Sequence, residues 1–285
     1  MERLKYAVSI TDEAVGVNTP IMLHGSFDEC FRAAAECGYD GVELQIKDPA
    51  TRSISQLKHL MRDYHLAVPV ITTGAEYFGN GLSLIDEDPA GQQRAIDRLG
   101  QHIDLAAELG SMVLLGSMRG VITDLARYGE ILERLLRNVK KVQEKAEASG
   151  VDVVFEPINL YVINYINSMD EGADFVKKVA SPNFWLMADT HHMRIHDGDM
   201  YESLMRHKNL IRYVHYSDGN RYYPGGGNID FLACTKALLD MDYNGWVTME
   251  CLALADGKLC AKRALDYSCH LEKACRAVTG GGAGT

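Results

Sequence analysis

The sequence predicts an α/β protein, a (β/α)8 TIM barrel in a single domain, and three observations carry that reading. Short apolar runs rich in β-branched residues alternate with amphipathic helical stretches, and eight such units follow one another along the chain. No Pro- or Ser-rich linker interrupts them, so the 285 residues form one barrel over positions 1–279, within the size range of this fold. The first β-α turn lacks the glycine fingerprint expected of a dinucleotide-binding open sheet, which favours closure.

The first apolar run, residues 6–10, precedes a helix over 27–37, where Ser26 and Asp28 suit an N-terminus and Gly38 a stop. Gly41-Val42-Glu43-Leu44 opens the second unit, and a helix over 54–65 leads to the third run, 68–72. A helix of about 92–109, ended by Gly110, delivers the fourth run, 112–115, and a long helix of about 124–148 closes at Gly150. Runs at 153–156, 184–189, 213–217 and 247–250 complete the set, each followed by helical sequence. Gly225-Gly226-Gly227 comes late and after a strand, and reads as a flexible loop rather than a phosphate cradle. Residues 280–285 bury no apolar area and read as a flexible Gly-rich tail.

Hydrophobic residues make up 47% and charged residues 24%, ordinary globular values, and no stretch approaches the roughly 18 apolar residues that cross a bilayer. Residues 1–6 run into an apolar strand with no signal-peptide core, so a cytoplasmic location is expected. Seven cysteines without a C-x-x-C pair are expected to be reduced and structural. A net charge of −10 with no basic stripe disfavours nucleic acid as a partner.

In such barrels, active sites are built at the carboxyl ends of the strands. Four polar residues lie there: Glu156 in Val153-Val154-Phe155-Glu156-Pro157, Asp189 in Leu186-Met187-Ala188-Asp189-Thr190, His215 near the end of the seventh run, and Glu250 ending the eighth. Each alone has an ordinary reading, as a helix-capping carboxylate or a core histidine. Together at one mouth, three carboxylates and an imidazole repel one another unless a dication lies between them. Oxygen-rich ligation with one nitrogen suits Mn²⁺ first, with Mg²⁺ or Co²⁺ as alternatives, better than a structural zinc.

Several stretches carry a family likeness: Thr73-Gly74 with Gly81-Leu82-Ser83-Leu84, Asp104-Leu105-Ala106-Ala107-Glu108-Leu109-Gly110, Arg119-Gly120, Glu156-Pro157-Ile158-Asn159, Asp189-Thr190-His191-His192-Met193, Ser217-Asp218-Gly219-Asn220-Arg221 with Pro224-Gly225, and Met249-Glu250-Cys251. Over nearly its whole length the chain resembles the xylose isomerase-like sugar-phosphate isomerase/epimerase barrels, and within them the ketose 3-epimerases of the D-tagatose/D-allulose type and 5-keto-L-gluconate epimerase. The resemblance implies that Glu156, Asp189, His215 and Glu250 bind one divalent metal and that His192 and Arg221 hold the substrate's carbonyl-side oxygens. Asn159 and Glu43 would line the sugar pocket. One departure stands out: such ketose epimerases usually carry a second glutamate six residues after the one matching Glu156, where this chain has Val162, and Leu160 where a polar or basic residue is common. That puts the usual ketohexose substrate in question more than the metal site.

The expected reaction is proton transfer beside the carbonyl of a sugar or keto-sugar acid through a metal-stabilised ene-diolate. Glu156 and Glu250 are the candidate acid–base pair, one removing the proton and the other returning one from the far face. Tyr77, Phe78, Tyr161, Tyr165, Tyr222 and Tyr223 follow strands and pack the barrel rim or form a platform for a larger ring. The platform suggests an alternative, a metal-dependent lyase or deglycosidase subunit that eliminates the aglycone of a 3-keto (C-)glycoside with the help of a small partner chain. An endonuclease IV-like nuclease and a non-catalytic sugar-binding barrel are further readings; acidity weighs against the first, and fold alone does not establish chemistry against the second. The absence of a phosphate clamp favours an unphosphorylated small-molecule partner, and a homo-oligomer is expected.

Overall fold

The computed structural model describes residues 3–280. The eight runs become eight parallel strands: β1 (Lys5–Thr11), β2 (Gly41–Gln45), β3 (Val70–Thr72), β4 (Met112–Leu115), β5 (Val153–Phe155), β6 (Phe184–Asp189), β7 (Ile211–Tyr216) and β8 (Trp246–Met249). Each pairs with the next in sequence. The last returns to the first, with Tyr6 opposite Val247 and Val8 opposite Met249, so the sheet closes. A two-residue strand, Leu23–His24, adds to the end of β1.

Parallel strands need crossovers, and the helices that supply them cover the outside, so both strand faces are buried. Alternation then decides which residues look inward. Tyr6, Val8, Val42, Leu44, Val153, Phe155, Leu186, Ala188, Val214, Tyr216, Val247 and Met249 belong to the large core under the helices. Val70, Leu114, Val154, Met187 and Tyr213 form a separate inner cluster. Continuing the same period of two, Ser9, Glu43, Glu156, Asp189, His215 and Glu250 all fall on the inward side.

The helices are α1 (Phe27–Cys37), α2 (Ile54–Asp63), α3 (Gly74–Asn80), α4 (Pro89–Leu109), α5 (Tyr128–Ala148), α6 (Met169–Val179), α7 (Thr190–His196), α8 (Met200–Arg206), α9 (Phe231–Asp240) and α10 (Gly257–Gly280). The boundaries of α1 are those expected, set by a Ser26–Glu29 capping box and by Gly38 in the left-handed region. Elsewhere local chemistry moves them. Helix α4 begins before Gln92 because Asp88 caps it and Pro89 takes its first position. Asp124 caps a 3-10 turn, Leu125–Arg127, ahead of α5. Helix α2 stops at Asp63, before His65, which lies at φ 53°. Strand β3 starts at Val70, directly after Pro69, which has no N–H for a ladder.

Helix α10 includes Gly280, so the expected tail would start at least one residue later; residues 281–285 lie outside the described residues. Cys30, Cys37, Cys234, Cys251 and Cys260 are buried free thiols and Cys269 is a half-buried one; Cys275 is also buried. No helix among the described residues is long and apolar enough to cross a membrane.

Candidate metal centre

Glu156 follows β5, Asp189 ends β6, and His215 is the penultimate residue of β7. One ligand atom from each lies within 4.8 Å of the others, and all three residues are buried. Gly116, just past β4, makes room for the first: a Cβ there would meet Glu156 Oε2 at 2.6 Å. Glu250, just past β8, completes the ring from the other side, with Oε2 3.6 Å from His215 Nδ1. Three of the four residues picked from strand ends thus gather within 4.8 Å of one another, and Glu250 borders them through His215.

His215 shows how the ring is oriented. Its Nε2 is 2.7 Å from Glu43 Oε2, and Ser9 Oγ donates to Glu43 Oε1 at 2.5 Å. Glu43, expected at the sugar pocket, has no exposed surface and sits behind the imidazole. This carboxylate favours hydrogen on Nε2; burial lowers the His215 imidazole, but Glu43 and Glu250 outweigh it and raise it well above its ordinary value, so Nδ1 offers a lone pair once a cation displaces its proton. Nδ1 is buried without a hydrogen-bond partner, its nearest carboxylate oxygens standing at 3.6 Å (Glu250) and 3.8 Å (Asp189). Two close carboxylates, a third beside them and a bare imidazole nitrogen form an oxygen-rich donor set that suits a hard or borderline dication.

Arg221 is the cation already present. Its Nη1 donates to Asp189 Oδ2 at 2.9 Å and lies 3.0 Å from Glu250 Oε2. Glu250 Oε1 accepts from Gln45 Nε2, and Asp189 Oδ1 from the His191 N–H. Each carboxylate oxygen has two lone pairs, so these bonds do not exhaust either group. His192 Nε2 stands 3.6 Å from both Glu156 Oε1 and Asp189 Oδ2. Asn159 Nδ2 is 2.7 Å from His192 Nδ1, and Arg221 Nη2 is 3.0 Å from His192 Nε2. A neutral imidazole has one acceptor nitrogen, so these two donors compete for it.

Crowding of like charge spreads the titrations. Burial, then the charges of Glu250 and Asp189, push the Glu156 carboxyl up to about 8. Burial acts the same way on Asp189, but the Arg221 guanidinium foremost, with smaller contributions from His192 and His215, outweighs it and holds Asp189 well below the usual carboxylate range. Arg221 and His215 likewise lower Glu250 against its burial. Burial takes the His192 imidazole down to about 3. Three carboxylates crowd one arginine and one histidine, so a dication can take the place of protons held by Glu156 and His215.

Around the mouth, Tyr161 (80% exposed), Phe78 (68%) and Tyr222 (37%) face solvent, beside exposed Leu160 and Val162. Tyr165 does not join them: it is buried, its hydroxyl donates to the Arg119 carbonyl, and its ring and that of Phe155 flank the buried Arg119 guanidinium. Tyr77 and Tyr223 pack against the core. The Gly225–Gly227 loop, expected to be flexible, is tied down: the amides of Gly225 and Gly227 donate to Asp218 Oδ2, so they do not cradle a phosphate.

Ser9 and Gln45 did not stand out in the sequence, and Asp218 lies in a stretch that carries the family likeness, which implies no role for it. Ser9 and Gln45 share the inward parity of Glu43, which is the one signal that could have found them. Asp218 opens a loop containing Gly219 and Gly225–Gly227, a pattern compatible with many turns.

The family model for the xylose isomerase-like TIM barrel matches residues 31–268. An L-ribulose 3-epimerase of Mesorhizobium japonicum is 30% identical over 240 residues, 81% of this chain and 77% of the relative. A 3-dehydro-D-guloside 4-epimerase of Escherichia coli is 26% identical over 230 residues, 78% of this chain and 86% of the relative. A solved D-allulose 3-epimerase from a Methylomonas species, in complex with D-allulose, superposes with a TM-score of 0.79 at 24% identity, covering 94% of this chain and 96% of that one. By name these relatives are isomerases that act on keto sugars or their glycosides. The matched span takes in seven of the eight strands and all four residues of the ring, and the chain belongs to the xylose isomerase-like TIM barrel family.

Proposed function

We propose that this protein is a divalent-metal-dependent epimerase or isomerase that moves a proton beside the carbonyl of a keto sugar or keto-sugar acid. The observation that carries the reading is the buried Glu156–Asp189–His215 cluster, with ligand atoms within 4.8 Å and a partnerless imidazole nitrogen, beside Glu250. A divalent ion held there by these four residues, Mn²⁺ before Mg²⁺ or Co²⁺, supplies Lewis-acid polarisation of the substrate carbonyl.

The remaining work belongs to the chain's own side chains. Glu156 and Glu250 stand three strands apart around the barrel, so they reach a substrate in its mouth from different sides. One removes the proton at the carbon beside the carbonyl, and the other delivers a proton to the opposite face. His192, steadied through Nδ1 by Asn159, can offer its Nε2–H to a substrate oxygen, and Arg221 adds a fixed positive charge. Glu43 orients His215 rather than touching sugar. Support also comes from the relatives named L-ribulose 3-epimerase and 3-dehydro-D-guloside 4-epimerase. The test is metal analysis of the purified protein, followed by ¹H NMR in D₂O with a panel of ketoses, keto acids and keto-glycosides. Solvent deuterium entering the carbon next to the carbonyl of one substrate is expected; no exchange in the metal-loaded protein with any of them overturns the reading.

A second reading rests on the exposed apolar rim, Phe78, Leu160, Tyr161, Val162 and Tyr222. Such a rim suits a substrate with a bulky apolar substituent, a 3-keto glycoside, which the same site could epimerise or, as a lyase working with a small partner subunit, strip of its aglycone. Release of free aglycone in the same NMR panel separates elimination from epimerisation.

A further inference from the structure

Asp218 opens the loop between β7 and α9 and is fully buried. Its charge is met by backbone. Oδ1 accepts from the amides of Gly219 (2.7 Å), Asn228 (2.7 Å) and Ile229 (3.1 Å), and Oδ2 from those of Gly225 (3.1 Å) and Gly227 (2.8 Å). Five convergent N–H dipoles stabilise an anion strongly, and a carboxylate is the one side chain of this size that can accept all of them. The glycines permit the approach: a Cβ on Gly227 would meet Asp218 Oδ1 at 2.3 Å.

The same residue anchors a tight turn. The Asp218 N–H donates to the Tyr222 carbonyl, and the Arg221 N–H donates to the Asp218 carbonyl. Arg221 is thereby placed at φ 61°, a left-handed conformation unfavourable for a long side chain, and its carbonyl accepts from the Leu252 N–H in the neighbouring loop. From there its guanidinium reaches Asp189, Glu250 and His192. A buried carboxylate thus organises an irregular loop whose one charged side chain turned into the site is Arg221.

We infer that Asp218 is a positioning residue, which through the five-amide lock of its loop holds Arg221 in register with Asp189 and Glu250. The inference rests on the proposed epimerase site for the importance of Arg221, but the lock itself does not depend on it. In Asp218→Asn, one oxygen becomes an NH₂ that faces N–H donors, so part of the lock is lost with little change of shape. A misplaced charged group costs about 10²-fold in turnover at the upper end.

The experiment is a double-mutant cycle with Arg221→Ala on the metal-loaded protein. Asp218→Asn alone is expected to lower kcat/KM about 10- to 100-fold, divided between kcat and KM as in Arg221→Ala. In the Arg221→Ala background the same change is expected to cost no more than about 2-fold, because the group it positions is gone. Gly227→Ala, which displaces the carboxylate without removing it, should give the same non-additivity if Asp218→Asn folds poorly. Additive losses in the cycle overturn the inference. Two readouts need no turnover: amide exchange at Gly225 and Gly227, and the rate at which phenylglyoxal modifies Arg221, each expected to rise about 10-fold or more in Asp218→Asn while α9 amides hold. Unchanged values overturn the inference even in active protein. If the wild type turns over no keto sugar, the epimerase reading falls, and these two readouts still decide the role of Asp218.

Discussion

Two clusters of acid and arginine on this barrel have similar membership and opposite character. On the outside, Arg127 and Arg134 bridge Glu87 and Glu130 at 2.6–3.1 Å, two positive charges against two negative. At the mouth, Glu156, Asp189 and Glu250 share a single arginine, and His215 keeps a nitrogen with no partner. The outer carboxylates are more than half exposed, whereas those of the mouth are 13% exposed or less. Water screens the first group, so its pairs are worth little and demand nothing more. The second group is desolvated, and its carboxylates outnumber its arginine three to one, a crowding that marks candidate functional sites. Charged residues in number do not mark a site; burial, imbalance and an orphaned donor atom do.

The sharpest way to break this contrast is to neutralise, one at a time, two acids of the mouth. Glu156→Gln and Glu250→Gln are each expected to lower substrate deuterium exchange about 10²- to 10⁴-fold, the usual contribution of a general acid or base, with the thermal transition retained. Exchange within 10-fold of wild type in either variant would remove that residue from the acid–base pair.

Metal should distinguish the clusters next. At 100 times its dissociation constant, Mn²⁺ bound only to the folded state stabilises by about 2.7 kcal/mol. That is an upward Tm shift on the order of 5–10 °C for a chain of this size. His215→Ala is expected to abolish the shift, and Arg127→Ala to leave it whole. A Tm that ignores Mn²⁺, Mg²⁺ and Co²⁺ in the wild type contradicts a metal centre.

Glu43→Gln tests the layer behind the ring. Losing the carboxylate that orients a metal-binding histidine typically costs 10- to 100-fold in metal affinity. A Kd weakened by about that factor, read by titration without substrate, is expected. An unchanged Kd together with a raised KM would return Glu43 to the sugar pocket.

How much of this could be read from the chain follows from what alternation carries. The period of two fixes which strand residues look inward, and strand ends mark the active face, so Glu156, Asp189, His215 and Glu250 could be picked before any coordinates. Alternation says nothing of depth or of partners across the barrel. Glu43 meets His215 over 172 positions of sequence, a pairing created by closure. Tyr165 looked like Tyr161 in sequence, yet the loop turns one under Arg119 and the other into water. Arg221 reaches two carboxylates from a left-handed turn set by five backbone amides of its own loop, and no residue pattern encodes that geometry. Local boundaries moved for local reasons, as where Pro69 delays β3.

The smallest expected effect belongs to the outer cluster and completes the contrast. Hydrogen bonding to Arg127 is the main force holding the Glu130 carboxyl down to about 2 from its ordinary 4.5. A carboxylate whose folded value lies below its unfolded one stabilises above the unfolded value, and that contribution fades as pH falls through the folded one. The pair's share is therefore present above about pH 4.5 and disappears toward pH 2. Exposure of more than half of the Glu130 side chain and salt screening keep it small, so Glu130→Gln is expected to shift the Tm at pH 7 by about 1 °C and turnover not at all. The difference between variant and wild type should shrink as pH falls below 4.5 and again as salt rises toward 1 M. A larger Tm loss, or one indifferent to both pH and salt, would mean that the outer cluster is not screened by water and that exposure fails to separate the two groups.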